Sequence, residues 1–109
     1  LVTWIHLIVG SQAVALAAHH GVPYEKLRRI LAANGKLTPT VAALLDGKHA
    51  FPPGADPARD QFLASQAGIG EKDLDLAIGC GRAVALQVAM MSEARSLVRA
   101  MMSGPLPQP

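Results

Sequence analysis

The sequence predicts an all-α domain, and three observations carry that prediction. Apolar residues recur at three- and four-residue spacing over long stretches, no stretch alternates with period two for long enough to make a strand, and the β-branched residues are scattered. The expected architecture is two long helices framing several shorter ones in one folded unit. Of the 109 residues half are hydrophobic and only 17% are charged, which is far too apolar for disorder. Scaling of surface with mass gives burial of roughly 65% of the unfolded area, enough for a core without disulfides or a structural metal.

The first helix is expected over residues 1 to 20, closed by Gly21 where a left-handed cap is cheap. Its opening run, LVTWIHLIVGSQAVALAA, has no formal charge and raises a membrane span or a secretory leader. Thr3, His6, Ser11 and Gln12 interrupt it and no basic segment precedes it, so it reads as a helix buried between others, with no membrane partner. The absence of an initiator methionine at Leu1 reads as a cut inside a longer protein.

Pro23 opens a second helix that runs to about Ala33, with Tyr24, Leu27, Ile30 and Leu31 on one face and Glu25 four residues from Arg29; Asn34-Gly35 ends it. Thr38-Pro39 is a cap followed by proline at the first helical position, giving a short third helix through Leu45 that Gly47 stops. Residues 46 to 56 read as an irregular loop rich in proline and glycine. Asp56-Pro57 repeats the cap signal and predicts a short helix to about Ala67, punctuated by Gly68 and Gly70. Strong periodicity through Leu74, Ile78, Gly81, Ala85 and Val88 then predicts helix, with one or two breaks, to Met102. The division is a helical domain over residues 1–102 and a flexible proline-rich tail over 103–109.

Several function classes lose support on the residues themselves. A single cysteine, Cys80, fits a reducing compartment and a cytoplasmic location. A net charge of +2 spread along the chain gives no argument for nucleic acid. Gly68-Ile69-Gly70 and Gly79-Cys80-Gly81 begin like a dinucleotide fingerprint, but no strand feeds either, so they read as helix capping and close helix packing. His19 and His20 diverge by roughly 100° on a helix and have no ligand-type partner three or four residues away, which argues against a metal. No serine has an activating context and Asp73 and Asp75 face different sides, so no catalytic residue is assigned. The paired methionines at 90–91 and 101–102 read as core or interface filler. ALAAHHGVPYEKLRRI has the spacing of a helix-turn-helix, with EKLRR as a possible groove reader, but a tight αα-hairpin needs the same residues.

Lys72 is the anomaly. If a helix opens after Gly70, Glu71, Asp73 and Asp75 suit its positive end and Lys72 does not. The bland alternative is an exposed lysine neutralised by Glu71 or Asp75. EKDLDLAIGCGRAVAL resembles the KDLxLA segment of the 3-hydroxyisobutyrate dehydrogenase family, the NAD(P)-dependent β-hydroxyacid dehydrogenases. A long apolar helix, then AxxxGVPxxxLxxIL, short helices, a proline-glycine loop and the KDL helix are similar in order and spacing to the family's C-terminal all-α domain over residues 1–102.

The resemblance implies a domain like the helical C-terminal half of 6-phosphogluconate and 3-hydroxyisobutyrate dehydrogenases, with NAD or NADP held mainly on an N-terminal Rossmann domain outside this chain. It implies that Lys72 contacts the cofactor across the cleft and that the long apolar helix serves a homo-oligomer interface. The family's catalytic lysine would fall just before Leu1, its asparagine near Trp4, and its Gly-Val-Pro turn after the KDL helix is Ala85-Leu86-Gln87 here. The expected role is therefore a cleft-forming and oligomerisation domain of an oxidoreductase acting on a small 3-hydroxy acid, unable to transfer hydride alone. The alternative is helix-turn-helix DNA binding or a stand-alone helical interaction module.

Overall fold

The computed structural model describes all of residues 1–109 and is all-helical: α1 Val2–His19, α2 Tyr24–Ala33, α3 Pro39–Ala50, α4 Pro57–Ala83 and α5 Ala89–Ser103. The cap-then-proline signals act as expected. Thr38 Oγ1 accepts from the Val41 amide at 3.3 Å, and Asp56 Oδ1 accepts from the Ala58 amide at 3.1 Å and the Arg59 amide at 3.4 Å. Pro39 and Pro57 each open the helix that follows.

The expected stops at Gly47, Gly68 and Gly70 are overturned. Helix α3 continues through Gly47 to Ala50, and α4 runs unbroken past Gly68 and Gly70 for 27 residues. The glycines at 47 and 70 answer a need for space. A Cβ at Gly47 would run into the Arg59 guanidinium, and one at Gly70 would come within 2.8 Å of Val98 Cγ2 and 2.9 Å of Trp4 Cε3. Helix α4 is thus roughly 40 Å long, matching the longest molecular dimension of 42 Å.

The one break between residues 71 and 102 is the corner from α4 to α5. There the Leu86 amide donates to the Gly81 carbonyl at 2.9 Å and the Ala85 amide to Arg82 at 3.1 Å. This is a Schellman closure, the ending that α1 makes with Gly21, but its left-handed position is held by Ala85 at φ 57°. Of the two glycines in GCG, Gly81 packs closely, its Cβ position being 2.7 Å from Val88 Cγ1, whereas Gly79 faces open space.

Helices α4 and α5 form the most extensive pairing, with α1 laid across α5 and α3 and joined to α2 at the Gly21 turn. The core gathers Trp4, Leu7 and Val14 from α1, Leu44 and Leu45 from α3, Leu74 from α4 and Val98 from α5, together with Leu106 from the tail. Leu106 is buried, so the proline-rich tail, read from sequence as free, is tied down at that residue. Helix α1 is buried on one side only. Val2, Val9 and Leu16 form an exposed apolar stripe, and by length and composition alone the helix is long and apolar enough to cross a membrane. The chain exposes 6474 Å², against about 5,800 Å² for a monomer of this mass.

Three substitutions test this account by urea unfolding. Gly79→Ala, in an exposed helix interior with free space, is expected to stabilise by about 0.5–1 kcal/mol. Gly70→Ala gains the same propensity but drives a methyl into Trp4 and Val98, for a net loss of about 1 kcal/mol or more. Ala85→Gly relieves the left-handed residue and is expected to stabilise by about 0.5–1 kcal/mol.

Candidate functional site

Lys72 lies well inside α4, so its assignment to a helix start is corrected: there is no helix N-terminus there for it to oppose. The neighbouring acids are committed elsewhere. Glu71 pairs with Arg95 at 2.9 Å and with Arg99, Asp75 pairs with Arg95 at 2.9 Å, and Asp73 Oδ2 accepts from the Trp4 indole Nε1 at 3.0 Å. Lys72 itself is exposed and has no carboxylate within 4.0 Å, so neither Glu71 nor Asp75 neutralises it.

The reason is geometric. Residues 71 and 75 sit one turn apart on the side of α4 that meets α5, and together they grip Arg95. Hydrogen bonding to Asp75, followed by the attraction of the two carboxylates, raises the Arg95 pKa above its ordinary value. Lys72 lines an open cleft of about 520 Å³ together with Gly68, Glu71, Asp75, Leu76 and Arg99, and the two carboxylates in that lining are paired with the arginines of α5. Ile69 and Leu76 flank Lys72, and with Phe62 they make a second exposed apolar stripe at seven-residue spacing. An ammonium without an ion-pair partner can bind an anion, here in a cleft that also holds the paired Glu71, Asp75 and Arg99; the cleft pairs no nucleophile with a base.

Trp4, which occupies the place of the family's asparagine in the resemblance, is buried against Gly70 and bonded to Asp73. It ties the start of α1 to the KDL segment. The EKLRR segment is partly committed, through Glu25 and Arg28. Arg28 holds Asp46 through Nε at 2.7 Å and Nη2 at 2.8 Å, the Tyr24 hydroxyl donates to Asp46 at 2.5 Å, and Glu25 pairs with His49 at 2.7 Å. The Arg28 hydrogen bonds are the main reason the Asp46 pKa falls to about 2. His19 and His20 do not diverge: His20 has left helical geometry and the rings meet edge-on at 5.6 Å.

Lys48 went unnoticed in the sequence. It is the one buried charged side chain, 5% exposed, with its ammonium donating to the Met101 carbonyl and no carboxylate in reach. Burial, and secondarily the nearby Arg59, lowers its pKa to about 8. The signal was present, because Val41, Leu44, Leu45 and Lys48 fall on one face once α3 is allowed past Gly47. Ending the helix at Leu45 placed this lysine in a loop.

Comparison with protein-family models, curated proteins and solved structures gives no match to this chain.

Lys48 and Tyr24 set a pH dependence on the alkaline side. The unfolded Lys48 keeps its proton to about its ordinary 10.5 while the folded one sheds it near 8, so between those values the unfolded chain binds more protons and stability rises with pH. Tyr24 acts oppositely: burial, then its bond to Asp46, raises its pKa above the ordinary 10, so stability falls once the unfolded phenol ionises. Unfolding free energy is expected to climb on the order of 2 kcal/mol from pH 8 to about 10 and then turn down. Urea titrations at stepped pH measure it, and Lys48→Met should flatten the climb.

Proposed function

We propose that this chain is the helical cleft-forming and oligomerisation domain of a cytoplasmic NAD(P)-dependent oxidoreductase acting on a small 3-hydroxy acid. The observation that carries the reading is Lys72, an unneutralised cation in a KDL segment, on an apolar face that nothing in the chain covers. The cofactor, held mainly by an N-terminal Rossmann domain, would supply hydride exchange at its nicotinamide. The part assigned to this chain is binding and orientation. The Lys72 ammonium, which has no carboxylate within 4.0 Å, suits the negative charge of a dinucleotide presented from the facing domain. Its seat in the interior of α4 fixes the backbone from which the flexible side chain reaches.

The oligomer reading rests on the stripes Val2–Val9–Leu16 and Phe62–Ile69–Leu76 and on surface in excess of that of a compact monomer. The same stripes also suit a stand-alone interaction module, which would have no use for a dinucleotide.

In the parent protein carrying its Rossmann domain, Lys72→Ala is expected to weaken NAD(P) binding about tenfold while leaving the melting temperature unchanged. An unchanged dissociation constant would remove the role assigned to Lys72. The isolated chain is expected to sediment as a concentration-dependent oligomer; a monomer at every concentration would remove the interface.

A further inference from the structure

Lys48 opens onto a pocket of about 200 Å³ between α1, α5 and the C-terminal tail. Two polar groups there lack what they need. The ammonium has one carbonyl acceptor, Met101, and no counter-ion. The Ser11 Oγ, in the same lining, is buried with no hydrogen-bond partner. A buried ammonium without a carboxylate and a buried hydroxyl without a partner are each costly to maintain, and native folds satisfy such groups unless a ligand does so. The lining contains no acidic residue. The nearest carboxylate in the adjoining cleft of about 230 Å³, Asp60, already accepts from the Gly54 amide at 2.8 Å.

We propose that this pocket binds a small organic monocarboxylate, its carboxylate received by the Lys48 ammonium and the Ser11 hydroxyl and its short apolar chain laid against Leu97, Pro105 and Pro107. Apart from Lys48, Ser11 and the exposed Gln12 the lining is apolar, so a carboxylate with a short apolar chain uses it better than inorganic phosphate, which has no apolar part to lay against leucine and proline. The volume lies below the roughly 300–1,000 Å³ of drug-sized ligand sites, which selects a short chain. Bidentate capture by a cation and a hydroxyl is the stronger, charge-assisted kind of hydrogen bonding. The site is separate from Lys72 and does not depend on the oxidoreductase reading.

The test is titration of the full chain with sodium butyrate at constant ionic strength, followed by NMR of the Lys48 side chain and the Leu97 methyls. Saturable shifts are expected. Lys48→Met, which keeps the buried stem, is expected to abolish saturation, and Ser11→Ala to weaken binding about tenfold. Ser11→Ala should also melt at higher temperature without ligand, since it removes an unpartnered buried hydroxyl; it therefore decides the matter even if Lys48→Met does not fold. Shifts that grow linearly with butyrate, Ser11→Ala binding with wild-type affinity, or equal saturation by inorganic phosphate would each overturn the proposal.

Discussion

The seat of Trp4 on Gly70 is the contact on which the rest of the molecule depends. An indole can approach the α4 backbone that closely only because residue 70 has no side chain, and the approach places Nε1 3.0 Å from Asp73. Apolar contact fixes depth while the hydrogen bond fixes rotation, so one residue locks the start of α1 against the α4–α5 pair. Leu7, Val14 and Ala18, further along the same face of α1, then follow into the core. With α1 set, α3 must lie where Val41 meets Gly10, and α3 in turn carries Lys48 to the Met101 carbonyl.

The same lock explains the charge arrangement of α4. Asp73 is spent on Trp4, and Glu71 and Asp75 are spent on arginines of α5. Carboxylates adjacent in sequence to Lys72 are thereby drawn away from it by partners elsewhere in the chain. Its availability is a product of tertiary structure rather than of any helix end.

The helices themselves were legible in the sequence, because Thr38-Pro39, Asp56-Pro57, Gly21 and Gly35 act locally and look the same in any context. Gly47, Gly68 and Gly70 were misread because a glycine that ends a helix and one that admits a distant side chain are identical in one dimension. Only the placement of Arg59 and Trp4 tells them apart at 47 and 70. That one ambiguity displaces both candidate sites, because reading these glycines as stops puts Lys72 at a helix start and Lys48 in a loop. The partners of Glu71 and Asp73 lie on α5 and α1, beyond the reach of reasoning from residues three and four apart.

Leu106 gives the chain a second kind of closure. Because its side chain is buried among core residues after α5 has ended, the folding unit extends past the last helical residue, Ser103. Pro105 and Pro107 bracket that anchor, and their fixed backbone angles reduce the freedom the segment surrenders on docking. The tail therefore acts as a strap across the seam between α1 and α5, and a boundary drawn at the end of α5 would unroof Lys48 and uncover the core where Leu106 sits.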